Sequence, residues 1–242
     1  MRAFRKMFIA NSKEFTRDRS GLFWFFVLPV IFIFLFGLVF TGEGAGIEFD
    51  YVMPGILAMA LMQLGIFGSL QFLSLREKKI IRGLNVTPLS KGSLLSSEIV
   101  LRLLSGLVQA SVIITIAILV FDISLVGQLY KIFFLVLLGA ATFISLGYML
   151  ICFVSSMEGG NGIVQVVQFP MMFLSGIFVP IDILPGFIQP VVRVIPLTYL
   201  GDALRQVMVG VPGEFPLLIN ILVLLSFLII TSILCLKFWK WE

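Results

Sequence analysis

The sequence predicts an all-α integral membrane protein: six transmembrane helices, an N-terminal interfacial helix, and an external re-entrant helical hairpin between helices 5 and 6. Composition, run length and charge placement each point there. Hydrophobic residues make up 60% of the 242 and charged residues 12%, against about 45–50% and about 25% in soluble domains. Mean hydropathy is +1.13, and a chain so short of charge cannot cover a water-facing surface. Apolar runs near the length of about 20 residues that crosses hydrocarbon recur from end to end. Lys and Arg gather between alternate runs, as they do in cytoplasmic loops.

Residues 1–20, "MRAFRKMFIANSKEFTRDRS", mix Arg2, Arg5, Lys6, Lys13, Arg17 and Arg19 with bulky apolar side chains. Phe4, Met7 and Phe8 share one helical face, so the stretch predicts an amphipathic helix along the cytoplasmic interface. The first span is Leu22–Phe40. Pro29 is tolerated there as a kink, because a packing neighbour can satisfy the carbonyl it frees. The second span is Tyr51–Leu75, the third Ile99–Phe121, the fourth Tyr130–Val154 and the fifth Ile163–Val179. The sixth, Phe215–Leu236, ends in the interfacial "KFWKW". Residues 76–98 form the longest polar stretch; Thr87-Pro88 breaks it, and Ser90 is placed to cap a short helix leading into the third span.

Residues 180–214 remain apolar but carry Pro185, Pro190, Pro196 and Pro212. Two pieces, Ile183–Ile195 and Pro196–Val209, are each too short to cross. Asp182 after Pro180 can cap the first, with Pro185 in its opening turn; Pro196 suits the start of the second and Gly210 its end. A hairpin that dips in and returns leaves six crossings. Both basic termini and the 76–98 loop then share the cytoplasmic side, which a seventh crossing would forbid.

The same residues exclude several chemistries. The chain has no histidine, the commonest metal ligand and general base. Cys152 and Cys235 lie inside apolar runs, which speaks against a disulfide framework. The basic clusters flank apolar runs and read as topology signals, not as a nucleic-acid surface. Leu22–Phe40 is too long for a cleavable signal core, and no A-x-A site follows it. "EGGNG" at Glu158–Gly162 follows no strand and lacks a lysine, so it is no phosphate-binding loop.

Gln63, Gln71, Gln109, Gln165 and Gln168 are intramembrane polar residues, suited either to lining a pathway or to interhelical hydrogen bonds. Met172 and its neighbours Phe169, Met171 and Phe173 offer an adaptable apolar surface. Glu98 and Arg102 form an i,i+4 pair in the favourable order, and Asp202 stands three residues before Arg205 on one helix, within pairing reach.

Three stretches together resemble the membrane subunit of ABC-2 type transporters: "KEFTRDRSGLFWFFVLPVIFIFLFGLVF", "REKKIIRGLNVTPLS" and "FLSGIFVPIDILPGFIQPVVRVIPLTYLGDALR". The last ends in Pro-x-Thr-Tyr and Asp-Ala-x-Arg, here Pro196, Thr198, Tyr199, Asp202, Ala203 and Arg205. The second departs from the family's Arg-Glu-x-Gly-Thr by a stretched spacing from Glu77 to Gly83. The resemblance implies a single transmembrane domain in a multi-pass protein of the cell membrane, both termini cytoplasmic, in contact with membrane lipids. It implies a second permease protomer, either a second copy or a paralogue. Two copies of a cytoplasmic ATP-binding subunit would carry ATP and Mg, with no cofactor and no catalysis in this chain. Coupling to those subunits would run through Glu77, Arg82, Gly83, Thr87, Pro88, Ser90, Lys91 and Glu98, and the external hairpin would cap the pathway. Family members mostly export drugs, antibiotics, lipids or polysaccharides. Three rivals from other classes are a secondary transporter or channel, an intramembrane enzyme and a structural anchor. The first needs mid-membrane carboxylates and the second a nucleophile with its base, and neither set stands out here.

Overall fold

The computed structural model describes residues 2–40, 49–80 and 91–239, with the side chains of Arg2, Ala3, Ser20, Phe40, Lys91 and Asp182 outside that description. The described residues are helical throughout, without strands. In chain order the helices are α1 (Arg2–Arg17), α2 (Arg19–Leu22), α3 (Leu28–Phe40), α4 (Phe49–Glu77) and α5 (Lys91–Phe121). They continue with α6 (Leu129–Ile151), α7 (Met157–Leu174), α8 (Gln189–Val192), α9 (Pro196–Met208) and α10 (Leu217–Phe238). A π-helical turn, Phe23–Val27, joins α2 to α3. Among the described residues, α4, α5, α6 and α10 are long and apolar enough to cross a membrane.

α4 is the axis of the fold. It packs against α3, α5, α6, α7 and α9, and its side chains from Val52 to Met62 are buried all round. A helix apolar on every side is stable only where other helices or lipid surround it. α4 takes the first option and α10 the second: Leu218, Leu222, Ile229, Ile233 and Leu236 of α10 are exposed. Backbones come close where α4 crosses α6. A Cβ on Gly147 would stand 2.8 Å from the Gly65 carbonyl oxygen, and one on Gly65 would collide with the Phe143 backbone. Small residues permit such an approach.

Pro29 behaves as its chemistry requires. A proline lacks the N–H that would bond the carbonyl four residues back, here that of Phe25. Gln109 Nε2 of α5 donates to the Phe25 oxygen at 2.6 Å, and the π-helical turn absorbs the irregularity.

Three expectations are corrected. The fifth span was expected over Ile163–Val179; α7 starts earlier and stops at Leu174. Gly176 adopts φ +72° two residues beyond, a left-handed stop that glycine takes without steric cost. The first hairpin piece, Ile183–Ile195, is no single helix. It is a 3₁₀ turn at Ile181–Ile183, a bend through Pro185 and the one-turn α8. Pro185 and Pro190 interrupt it, and Ile195 is extended before Pro196. The short helix and the third span were expected as separate elements; α5 runs unbroken from Lys91 to Phe121. The second hairpin piece matches closely: α9 starts at Pro196, and Gly210 at φ +70° follows its end.

Candidate functional site

The candidate residues fall into three places. Where the C-terminal end of α4 meets the N-terminal end of α5, Glu98 and Arg102 form the expected pair, with Arg102 Nη2 at 2.6 Å from Glu98 Oε1 and 2.9 Å from Gln71 Oε1. The guanidinium lies over α4 at Gly68, where any Cβ would collide with it. Asn11 of α1 donates to Ser97 Oγ at 3.1 Å, which fastens the first helix to the start of α5. Glu77 accepts from the Met157 N–H at 3.1 Å and so caps α7. Arg76, one residue earlier, is buried and donates to the Ile151 and Val154 carbonyls at the α6–α7 turn. Arg82, Gly83, Thr87, Pro88 and Ser90 lie outside the described residues, as does the Lys91 side chain.

The second place is α9, buried almost entirely among α4, α6 and α10. Asp202 and Arg205 do not pair with each other. The Asp202 carboxylate accepts from Asn220 Nδ2 at 2.7 Å, the Glu214 N–H at 3.0 Å, Gln206 Nε2 at 3.0 Å and the Phe215 N–H at 3.1 Å. It therefore anchors the connection from α9 into α10. Arg205 donates to the carbonyls of Tyr51, Gly176 and Ile177 at 3.0–3.4 Å, and its guanidinium lies 3.7 Å from the centre of the Tyr51 ring. Burial lowers its pKa from the ordinary arginine value. Thr198 Oγ1 bonds the Val192 carbonyl at 2.8 Å, and the Tyr199 hydroxyl bonds that of Arg193 at 2.6 Å. Desolvation raises the Tyr199 phenol, which keeps it a donor. Pro180 ends the extended stretch before the 3₁₀ turn, and Pro185 accepts from the Ile188 N–H in the following bend. Asp182 occupies that 3₁₀ turn.

The third place is a cleft of about 560 Å³ between the first span and the helices α4, α5 and α7. Its walls include Trp24, Phe25, Phe32, Phe67, Phe169 and Met172, and three amides face it: Gln63, Gln109 and Gln168. The structure thus brings Gln168 and Met172 into one cleft, while Gln165, one turn earlier on α7, is exposed and does not line it. Gln109 and Gln168 are buried, and the Oε1 atom of each lacks a partner among the described residues. A second cavity, about 390 Å³, shares Gly21, Phe25, Gln63 and Phe67 with the first and extends it to Glu14, Asp18 and Arg102.

The model of the ABC-2 type transporter family matches residues 2–209. The chain belongs to the ABC-2 type transporter family. YvfS of Bacillus subtilis, named as a transport permease, is 24% identical over 242 residues, covering 97% of this chain and 96% of that one. The daunorubicin resistance ABC transporter permease DrrB1 of Streptomyces coeruleorubidus is 22% identical over 77% of this chain and 68% of its own. Nodulation protein J of Rhizobium meliloti is 27% identical over 74% and 71%. The ABC-2 chain is therefore a multi-pass membrane protein and a component of membrane transport, of the kind that works with an ABC ATP-binding subunit. Sequence reasoning about this ABC-2 chain missed the Asn11–Ser97 fastening and the role of Asn220. The signal for Asn220 was present: it is a lone amide in an apolar run, which in a membrane needs a partner.

Proposed function

We propose that this chain is the membrane-spanning permease subunit of an ATP-driven ABC exporter. It moves a hydrophobic or amphiphilic substrate, drug-, antibiotic- or lipid-like, out of the cytoplasm or inner leaflet of the cell membrane. The names of its relatives, daunorubicin resistance and multidrug permease among them, support that class of cargo. The observation that carries the mechanism is α5, one helix from Lys91 to Phe121. Its first turns hold α1 through Ser97 and α4 through Glu98, Arg102 and Gln71, and its middle presents Gln109 to the cleft. A helix of 31 residues is about 46 Å long, beyond the roughly 30 Å of hydrocarbon. A push on its cytoplasmic end therefore reaches the cleft through a stiff element.

In this mechanism two ATP-binding subunits, each holding ATP and Mg, dock against residues 76–98 and α1. Their closure drives α5, while the chain itself performs no catalysis. Six crossings, with α7 and the first span added to the four long helices, leave both termini cytoplasmic. The α8–α9 segment forms a re-entrant external cap over the pathway, held shut by the Asp202 and Arg205 networks. A second protomer, identical or paralogous, completes the enclosure, and lipids cover the exposed apolar faces. Affinity purification of the tagged chain from its native membranes tests this directly. Co-elution of a P-loop ATPase, lost when residues 87–97 are replaced by Gly/Ser, is the expected result. Elution without any ATPase, under conditions that preserve other membrane complexes, sinks the exporter assignment in favour of a secondary transporter.

A further inference from the structure

We propose that the groove beneath α1 binds a cationic amphiphile, an apolar or aromatic body carrying an ammonium-type group, admitted from the cytoplasmic leaflet. The proposal rests on the export reading for what happens after binding, but not for binding itself. Its basis is the chemistry of the polar groups left uncommitted along the two joined cavities.

At the cytoplasmic end the groove meets Glu14 and Asp18, both exposed. Asp18 spends one oxygen on the Gly21 N–H at 2.9 Å. Its other oxygen and the Glu14 carboxylate have no partner among the described residues. Arg102 is the cation lining this end, and its charge is already answered by Glu98 at 2.6 Å and Gln71 at 2.9 Å. The field offered to a ligand is therefore negative. Deeper in, the polar groups are the amides. Gln109 is 1% exposed, and its nitrogen is committed to the Phe25 carbonyl at 2.6 Å, which leaves its oxygen as the spare group. Gln168 is 6% exposed, and its oxygen is likewise unpartnered.

The spare groups along the groove are thus mainly acceptors, the Glu14 and Asp18 carboxylates and the oxygens of Gln109 and Gln168, set against the buried, unpartnered Nε of Arg102. The two amide oxygens are desolvated, where a donor gains more than it would in water. An anionic or donor-free ligand would answer the Arg102 Nε at most and leave all of these acceptors without a donor. The remaining wall is aromatic, with Trp24, Phe25 and Phe67 presenting ring faces suited to an apolar body or to a cation. The deeper cavity, about 560 Å³, falls in the range of sites for drug-sized molecules.

The test uses the purified full-length chain in phosphatidylcholine nanodiscs, with rhodamine 6G as the cationic aromatic probe and 8-anilinonaphthalene-1-sulfonate as the anionic one. Binding is read by fluorescence anisotropy and corrected with empty nanodiscs. Rhodamine 6G is expected to bind saturably. Glu14→Gln with Asp18→Asn should weaken it about five- to tenfold, the scale of two partly screened charges, and should flatten its salt dependence. Asp18→Asn retains an oxygen for the Gly21 N–H, so the double variant keeps the local fold. Gln168→Leu should weaken the cation as well, without altering salt dependence. Rhodamine binding that is unchanged in both variants overturns the proposal, as does equal binding of the anionic probe. If the ATPase co-purifies but the cation does not bind, the ligand class fails and the exporter reading stands. If the cation binds as described and no ATPase is found, the reverse holds.

Discussion

The helix α9 and the cleft are both largely buried and both contain polar side chains, yet they handle them in different ways. Around α9 the two charged groups are saturated, although the Asn220 oxygen lacks a partner among the described residues: Asp202 has four donors, and Arg205 has three carbonyls and an aromatic face. In the cleft, Gln109 and Gln168 each leave an oxygen unanswered. A satisfied buried network rigidifies what it joins, whereas an unsatisfied one is a standing cost that a ligand can remove. One region is therefore built to stay, the other to be filled. A transporter needs both.

That contrast can be broken most forcefully at Asp202. Asp202→Ala leaves two backbone N–H groups and the Asn220 amide without their acceptor, while Gln206 keeps the Phe215 carbonyl. Stability should fall by about 3 kcal/mol or more, since bonds to charged groups carry about 1.5–3 kcal/mol each. Denaturant titration in detergent measures this; a loss under about 1 kcal/mol would mean that the network does not hold the α9–α10 connection. Arg205→Lys comes next. A point ammonium cannot reach three carbonyls and also stack on Tyr51, so a loss of about 2 kcal/mol is expected, with Arg205→Leu no milder. If lysine were to restore full stability, the fork geometry would be irrelevant. Gln168→Leu should cost less than about 0.5 kcal/mol, because it removes an unsatisfied oxygen while keeping volume; a large loss would show that the amide is structural. The smallest effect belongs to Gln165→Ala. Exposed and outside the cleft, it should change neither stability nor probe binding, and any change in binding would redraw the cleft.

The two charged pairs show why some of this was legible in the sequence. Glu98 and Arg102, four apart, meet on one helix as spacing alone predicts. Asp202 and Arg205, three apart, ignore each other because tertiary donors and acceptors compete successfully for both. The donor is Asn220 and the acceptor the Tyr51 carbonyl, 18 and 154 residues away, and no local rule reaches them. The same limit applies at Pro29: that it frees a carbonyl is local chemistry, but that Gln109 answers, 84 residues on, is visible only in three dimensions. Hydropathy located the four long apolar helices well, since length and apolarity are properties of the run itself. It misplaced the end of α7 because one glycine in a left-handed conformation outweighs the apolar residues after it. Of the cleft, the sequence supplied the candidate amides but not which of them share a wall. Gln165 and Gln168 are a turn apart in spacing, yet one is exposed and the other buried.

The missing N–H of Pro29 has a consequence that reaches beyond its own helix. Replace it with alanine and position 29 regains a donor, so the Phe25 carbonyl can be answered within the first span. The Gln109 nitrogen would then be idle, and the π-helical turn that carries Phe25 against the cleft would lose its cause. A single pyrrolidine ring thereby governs the use of an amide on another helix at the wall of the cleft. Positions 29 and 109 are joined through the Phe25 carbonyl, so a change at one alters what is left for the other to do.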